Sequence, residues 1–338
     1  MTKGTYIELI LQFMSNNNHS GIDFKEPFVK PSLRYVYPFF MFLHAVVGLV
    51  GIAGNTAMVV VIARRRLYQD QTYFLMANLA FADLIKCMIV MPITLANLLL
   101  QNWLFGSFLC FFLPMMQCFP VHASMLTFLT IAIDRYRLIV HPFKSRLPVG
   151  LCVIAVWVGA VCVVLPFAIY IKYLDLAALL GEDFTGVGIC YVAGERKIEQ
   201  YIRAIFVTLS QGDASSVVSS SHARVERHAH IKSCHGERGA AQVNDDELDI
   251  HKEKRTQNYL ITMTTLFGMC WCPLNILILV HFFVHENDDN IGHYDITYML
   301  FAWFGFLSTC TTPVLFASWR MSDATKDRLR GYFRFSNR

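Results

Sequence analysis

The chain has 338 residues and a formal net charge of +4, and 55% of its residues are hydrophobic whereas only 16% are charged. This balance is too apolar for an ordinary soluble domain, and the apolar residues are concentrated in long runs with almost no charge. Soluble helices would need a sustained polar face, and none of these runs has one. The composition therefore indicates a membrane protein.

In chain order, six runs are long enough to cross a hydrocarbon layer of roughly 30 Å as helices. They are Phe39–Ala63, Tyr73–Leu100, Phe108–Ile133, Val149–Ile171, Tyr259–Val284 and Ile296–Trp319. The third run carries no Asp, Glu, Lys or Arg between Phe111 and Ile133, and it ends at Asp134-Arg135-Tyr136. An acid and a base at this point mark the place where the helix leaves the apolar layer.

Basic residues are concentrated in alternate connections. Arg64, Arg65 and Arg66 follow the first run, and further basic residues follow the third run, precede the run at Tyr259 and occupy the tail. By the positive-inside rule these segments are cytoplasmic, which places the N-terminus outside. The predicted organisation is an extracellular tail at 1–34, a transmembrane domain at 35–319 with an inner loop at 211–251, and a cytoplasmic amphipathic helix and tail at 320–338.

The charge pattern requires one more crossing, because Arg146 and Lys254 both belong inside and only one complete run separates them. Between them, only Tyr201–Leu209 is apolar in the segment that could supply it. Even counted from Ile198, this segment gives about twelve residues, or roughly 18 Å of helix against a layer of roughly 30 Å. We therefore expect a truncated fifth span that lacks a block of about 15–20 residues.

Short motifs lie in or beside the predicted spans. They are Gly54-Asn55, Leu79-Ala80-Phe81-Ala82-Asp83, Trp103-Leu104-Phe105-Gly106, Asp134-Arg135-Tyr136, Pro142, Trp157, Pro166 and Phe267-x-x-Cys270-Trp271-x-Pro273. In this order they resemble the motifs of rhodopsin-like (class A) G-protein-coupled receptors, and the resemblance covers nearly the whole chain. It implies an all-α membrane protein, a seven-transmembrane helix bundle with a short amphipathic C-terminal helix.

The resemblance implies a multi-pass plasma-membrane receptor, not an enzyme, that binds a ligand outside and activates a heterotrimeric G protein inside. Arrestin, receptor kinases and membrane lipids are further partners that it implies, and no nucleic acid is expected among them. The short fifth span leaves an alternative open, a non-signalling decoy or dominant-negative isoform. Ligand-evoked G-protein dissociation would separate the two.

The resemblance also assigns a switching role to residues of the spans. Arg135 can be held in the resting receptor by charge-assisted bonds to Asp134 and Glu253. Pro273 removes a backbone hydrogen bond inside its span, so we expect a kink beside Trp271. The full set assigned to switching and G-protein coupling is Asp134, Arg135, Tyr136, Glu253, Phe267, Trp271, Pro273, Pro313 and Phe316.

The last span departs from the family pattern Asn-Pro-x-x-Tyr, because it reads Thr312-Pro313-Val314-Leu315-Phe316. The proline remains, but the amide and the phenol hydroxyl are absent. We therefore expect the polar coupling between Asp83 and the inner switch to be weaker or rerouted.

Asp83 is an acid near the middle of the membrane, where an ionised group needs a partner. The resemblance implies a sodium site here, with Ser124 and Ser308 at matching positions and no other cofactor. Lys86 lies three residues after Asp83, so the two share roughly one helix face. Our hypothesis is that Lys86 supplies the charge that sodium supplies in relatives. Two alternatives stay open: a neutral Asp83 bonded to Asn55, and a Lys86 side chain that reaches the headgroups or water.

The outer half of the third span indicates the ligand class. Cys110-x-x-x-Pro114-x-x-Gln117 resembles receptors of the neuropeptide Y, RFamide and orexin-related group, and Gln117 stands where aminergic receptors carry an acid. A small amine is therefore disfavoured, and a basic, C-terminally amidated peptide is expected. Acids in the outer loops could raise its encounter rate, although they could equally be ordinary solvated charges. The predicted ligand contacts are Trp103, Gln117, Trp271, Glu286, Asp288 and Asp289.

Two cysteines lie on the outer side, Cys110 at the end of the third span and Cys190 in the loop after the fourth. Because that compartment is oxidising, we expect them to form a disulfide. Asn18-His19-Ser20 is a predicted glycosylation site on the same side.

Overall fold

The fold is described by a computed structural model over residues 27, 29–100, 103, 105–140, 148–169, 171–175, 177, 188–192, 240–283 and 291–320. Some predictions lie outside these residues. They are the sequon at Asn18, the fifth span at Tyr201–Leu209, the loop acids Glu286, Asp288 and Asp289, and the amphipathic helix after Arg320. The side chains of Tyr136 and Glu253 also lie outside the description, although their backbone is helical.

The described residues form eight α-helices and one two-stranded antiparallel sheet. In chain order they are α1 (Tyr37–Arg64), α2 (Gln71–Ile85), α3 (Met91–Leu99), α4 (Gly106–Val140), α5 (Val149–Ala168), β1 (Ile171–Asp175), β2 (Gly188–Val192), α6 (Ala240–Phe283), α7 (Ile291–Phe306) and α8 (Ser308–Arg320). We call the end of the bundle that carries Cys110 the disulfide end, and the end that carries Arg135 the arginine end.

Six helical segments in the described part of the chain are long and apolar enough to cross a membrane. They are Tyr37–Arg64, Gln71–Leu99, Gly106–Arg135, Val149–Pro166, Asn258–Val280 and Tyr294–Arg320. Each overlaps one of the six runs found in the sequence, so the helical spans expected from hydropathy are confirmed. The truncation of the fifth span stays a prediction.

Helices α2 and α3 form one continuous span, joined by a π-helical turn at Lys86–Val90. The N–H of Met91 donates to the carbonyl of Lys86, which is the wider hydrogen-bond spacing of a π turn. Pro92 follows in the first turn of α3. Because proline has no N–H and its ring crowds the preceding turn, a widened turn just before it accommodates the ring within one span.

Helix α1 packs closely against α8 because glycine removes the side chain at the contact. A Cβ atom on Gly54 would lie 2.7 Å from Cγ of Pro313, closer than real Cβ atoms approach a neighbour. One turn earlier, a Cβ atom on Gly51 would lie 2.6 Å from Sγ of Cys87 on the α2–α3 span. Gly51 and Gly54 therefore allow three spans to pack together near the middle of the bundle.

An apolar core fills the space between α1, α2, α4, α6 and α8 towards the arginine end. Its buried members include Met58, Leu75, Met76, Leu79, Phe128, Ile131, Met263, Phe267 and Phe316. The rings of Phe128 and Phe267 meet edge to face with centroids 5.6 Å apart. Such aromatic contacts join α4 and α6 where the switch residues were predicted.

At the disulfide end, β1 and β2 form a hairpin-like sheet in which Tyr173 pairs with Cys190. The structure contains the predicted disulfide between Cys190 and Cys110, which attaches this sheet to α4. Burial and, to a lesser extent, the charge of Asp175 raise the pKa of the Tyr173 phenol.

The segment before α1 is fastened to the same end. The backbone N–H of Lys30 donates to the carbonyl of Leu99, and Val29 pairs with Leu100. The Lys30 ammonium lies 2.8 Å from Oδ1 of Asp295 on α7, and Ser32 donates to Oδ2 of the same carboxylate at 3.0 Å. This segment thereby links α3 to α7.

Candidate functional site

The centre of the bundle contains an ion pair that is closed to solvent. Nζ of Lys86 lies 2.5 Å from Oδ1 of Asp83, and the two side chains are 0% and 2% exposed. Both residues lie on the α2–α3 span, with Lys86 at the first position of the π turn. A buried charge needs a partner of opposite sign at short range, and this geometry supplies one to each residue.

Lys86 reaches beyond its own span. Its ammonium donates a hydrogen bond to Oγ of Ser124 on α4 at 3.0 Å, and it lies 5.2 Å from the ring centroid of Phe267 on α6. The second contact is within the range of a cation–π interaction. One lysine therefore contacts three spans, and sequence spacing alone indicated only its proximity to Asp83.

The two alternatives that the sequence left open are not what the structure shows. A neutral Asp83 would donate to the amide oxygen of Asn55, but that oxygen accepts no hydrogen bond from the described residues. The amide nitrogen of Asn55 donates at 2.9 Å to the carbonyls of Gly51 and Thr309. Lys86 is fully buried, so its side chain does not extend to the headgroups. The amide of Asn55 instead joins α1 to α8.

Trp271 on α6 is held by the junction of α7 and α8. Its indole N–H donates to Oγ of Ser308 at 3.2 Å, and its ring meets that of Phe306 edge to face with centroids 6.1 Å apart. Phe267, one turn earlier, has its ring centroid 6.3 Å from that of Trp271. Pro273 and Pro313 lie inside α6 and α8, as the sequence indicated.

At the disulfide end, the predicted ligand contacts occupy separate positions. The amide of Gln117 on α4 donates to Oγ1 of Thr94 on α3 at 2.9 Å. The indole N–H of Trp103 donates to the carbonyl of Gly106 at 2.9 Å, and the Trp103 backbone pairs with Gly188. No hydrogen bond or ring contact among the described residues joins Trp103, Gln117 and Trp271 to one another.

At the arginine end, Arg135 faces an acid that the sequence reasoning missed. Its Nη2 lies 3.8 Å from Oδ1 of Asp70, and the same carboxylate oxygen accepts the backbone N–H of Thr72 at 3.0 Å. Asp70 is thus the N-cap of α2 as well as a partner of Arg135. An acid followed directly by an apolar helix was the available signal, because Asp is a preferred N-cap residue.

Aromatic residues close the arginine end between α2, α6 and α8. Tyr259 stacks on Trp319 with ring centroids 5.2 Å apart, and Tyr73 lies 5.3 Å from Trp319 on centroids. Arg320 donates to the Tyr73 hydroxyl at 3.3 Å, and Arg255 donates to the Trp319 carbonyl at 3.2 Å. We call Tyr73, Tyr259 and Trp319 the Trp319 cluster. The sequence offered no signal for it, since its members come from three distant runs.

A comparison with known families decides the class of protein. The sequence profile described as 7 transmembrane receptor (rhodopsin family) matches residues 54–316. The chain belongs to this family. It is therefore a multi-pass membrane receptor and not an enzyme, and the Arg135 and Trp271 regions described above lie within the matched residues of the receptor.

One relative of this receptor is neuropeptide Y receptor type 4 of Mus musculus. The two are 24% identical over 290 residues, which cover 82% of this chain and 75% of the relative. The class A, neuropeptide-like character expected from the sequence is thus confirmed at the level of the family.

The residues at which the family implies a sodium site, Asp83, Ser124 and Ser308, already have other partners in this receptor. Oδ1 of Asp83 and Oγ of Ser124 both contact the Lys86 ammonium. Oγ of Ser308 accepts from Trp271 and donates to the Gly305 carbonyl at 2.7 Å. Oδ2 of Asp83 is buried without a hydrogen-bond partner among the described residues, but the Lys86 ammonium already lies on Oδ1 and on the Ser124 hydroxyl. A sodium ion would have to displace this ammonium, so the residues present do not fit a sodium ion.

Proposed function

We propose that this chain is a cell-surface receptor for an extracellular neuropeptide and that it promotes nucleotide exchange on a heterotrimeric G protein. The observation that carries the proposal is the family match over residues 54–316. The similarity to a neuropeptide Y receptor supports a peptide as the ligand class. The basic connections support a plasma-membrane orientation with the N-terminus and the disulfide end outside.

The disulfide end is the proposed ligand entrance. Gln117 presents a neutral amide between α3 and α4, where an acid would be needed to bind a small amine. The Cys110–Cys190 disulfide holds the β1–β2 sheet beside α4, and the Lys30–Asp295 ion pair holds the N-terminal segment at the same end. Glu286, Asp288 and Asp289 would attract a basic peptide towards this end.

The proposed signal passes from the ligand to α6. Trp271 lies on this helix and bonds to Ser308, so a ligand that favours another position of α6 must compete with that bond. Movement of α6 would also separate the Trp319 cluster, because Tyr259 belongs to α6 and Tyr73 and Trp319 do not. Opening there would expose the Arg135 region to the G protein, and arrestin and receptor kinases would act on the same side.

The test is a screen of surface-expressed receptor in cells that carry energy-transfer sensors for each G-protein class. The probe is a library of synthetic basic peptides with amidated C-termini. We expect at least one peptide to evoke dissociation of a G protein, with no response in untransfected cells. Silence of every sensor at verified surface expression would refute the proposal. Peptide binding without dissociation would favour the decoy alternative.

A matched pair of variants checks the ligand end. Gln117→Ala removes the hydrogen bond between α3 and α4. It should lower peptide potency by about tenfold, because the free energy of one hydrogen bond corresponds to about a tenfold change in affinity. The control is Thr130→Ala. Thr130 lies on the same helix, and its substitution removes only a local hydrogen bond to the Leu126 carbonyl. It should leave potency unchanged. Equal effects of the two substitutions would argue against a ligand role for Gln117.

A further inference from the structure

Lys86 lies where the family places a diffusible cation, and we propose that it is the cation of this receptor, tethered to the chain. Its ammonium holds Asp83, so that the resting packing of the bundle does not depend on sodium. This proposal rests on the family membership and on the geometry of the described residues. It is independent of which ligand the receptor binds.

The ammonium of Lys86 has two oxygen partners and one aromatic partner inside the protein. An ammonium carries three N–H donors. Around Nζ of Lys86 lie Oδ1 of Asp83 at 2.5 Å, Oγ of Ser124 at 3.0 Å and the ring of Phe267 at 5.2 Å from its centroid. With the lysine side chain 0% exposed, the surrounding residues form a closed cation site that is filled by the chain itself.

A sodium ion would have to share this site with a charge of the same sign. Two unit charges about 4 Å apart at an effective dielectric constant of about 20 repel strongly enough to weaken binding by about a thousandfold. A sodium ion would also have to displace Lys86 from Ser124, because that hydroxyl contacts the ammonium. The ion is therefore excluded by repulsion and by loss of its oxygen ligands.

The backbone fixes the position of Lys86 from both sides. Its N–H donates to the carbonyls of Ala82 and Asp83 at the end of α2, and its own carbonyl accepts the N–H of Met91 across the π turn. The lysine is thus anchored within regular hydrogen bonding rather than on a loop. Because the ammonium is covalently attached to this helix, it stays near Asp83 at any salt concentration, whereas the occupancy of a diffusible ion depends on its concentration.

The position of Lys86 also connects the ion pair to the switch helix. Phe267 lies on α6, and its ring is next to that of Trp271. An α6 movement that carries Phe267 away would remove one of the partners of the ammonium. The tethered cation therefore favours the packing in which α2, α4 and α6 are close together.

The experiment compares sodium with choline at matched ionic strength, using the full-length receptor purified without any ligand and its thermal unfolding as the readout. Because no ligand is present, the result does not depend on whether the receptor binds a peptide. The melting temperature of the native receptor should differ by less than about 1 °C between the two salts, because a cation that does not bind cannot stabilise.

Lys86→Met removes the charge and keeps a long side chain, so Asp83 and Ser124 become available to an ion. This variant should melt about 2–4 °C higher in sodium than in choline. Adding Asp83→Asn to it should abolish the difference. Lys172→Met is the matched control, because Lys172 is an exposed lysine on β1 at the disulfide end. It should respond to neither salt.

Three outcomes would overturn the proposal. The first is a native receptor that sodium stabilises more than choline does, which needs no variant to interpret. The second is a folded Lys86→Met receptor that remains indifferent to sodium. If Lys86→Met does not fold, Lys86→Gln replaces it and carries the same expectation. The third is a sodium response of equal size in the Lys172→Met control.

Discussion

The indole N–H of Trp271 on α6 donates a hydrogen bond of 3.2 Å to the hydroxyl of Ser308, the first residue of α8. A Cβ atom on Gly305 would lie 3.2 Å from the Trp271 ring, so the ring rests directly against the α7–α8 junction. The same hydroxyl donates to the Gly305 carbonyl at 2.7 Å. Movement of α6 relative to α8 must therefore break a specific polar bond.

Ser308→Ala should loosen this contact. Loss of one hydrogen bond, with the buried indole N–H left unpaired, should lower the free energy of unfolding by about 1–3 kcal/mol. Because the bond joins α6 to α8, basal G-protein activation should rise in the same variant. Thr311→Ala is the control, since the Thr311 hydroxyl bonds only to the Ser308 carbonyl on its own helix. If basal activity rises in both variants, the Trp271–Ser308 hydrogen bond has no specific role in switching.

The Asp83–Lys86 pair should show strong coupling in a double-mutant cycle. Asp83→Asn or Lys86→Met alone leaves one buried charge without its partner, which should cost about 3–5 kcal/mol of unfolding free energy. The double variant has no unpaired charge and should cost much less than the sum of the two. The free energies of unfolding should be measured in choline chloride, because no sodium ion is then present to replace the missing ammonium. Additive single costs would mean that the ion pair does not contribute as a unit.

Asp70 has two contacts that two substitutions can separate. Asp70→Ala removes the cap of α2 and should cost about 0.5–2 kcal/mol of unfolding free energy. Asp70→Asn keeps a capping oxygen for the Thr72 N–H but removes the charge that faces Arg135. It should cost little stability, because Asp70 is half-exposed and its contact with the buried Arg135 is long, while basal activation should rise. If Asp70→Asn behaves like native receptor in both assays, Arg135 does not depend on this acid.

The Cys110–Cys190 disulfide should stabilise the disulfide end of the bundle, because it attaches the β1–β2 sheet to α4. Cys190→Ser opens a link between residues that are 80 apart in sequence, and the free energy of unfolding should fall by about 2–4 kcal/mol. Surface expression, measured with an antibody to an N-terminal tag, should fall with it. Cys162→Ser is the matched control, because Cys162 is an exposed free cysteine on α5. Native-like surface expression of Cys190→Ser would contradict the expectation.

Two glycines on different helices should respond to alanine with opposite signs. Gly54→Ala places a methyl group 2.7 Å from Pro313 and should destabilise the receptor by about 1–3 kcal/mol, because α1 and α8 must separate. Gly268 on α6 has no neighbour within 4 Å of an added Cβ atom. Gly268→Ala should therefore stabilise by about 0.5–1 kcal/mol through helix propensity. Thermal unfolding of the two variants in parallel checks both signs.

The sequence by itself determined the features that depend on local composition. A membrane span is recognisable because about twenty successive residues must be apolar, and six such runs became six helical segments. The Asp83–Lys86 contact was also predictable, since residues three apart on a helix are neighbours. The disulfide between Cys110 and Cys190 was predictable, because the charge pattern places both cysteines on the same, oxidising side of the membrane.

Only the tertiary structure decided which distant residues meet. The sequence could not show that Lys86 reaches Ser124 and Phe267, because helix packing brings three separate spans to one point. The same is true of Arg135, whose partner Asp70 lies in the turn before α2, and of Trp319, which stacks on Tyr259 of α6. These contacts depend on how each helix is rotated and how deep it lies relative to its neighbours. Hydropathy does not determine either quantity, because the lipid-facing and the buried faces of a span are both largely apolar.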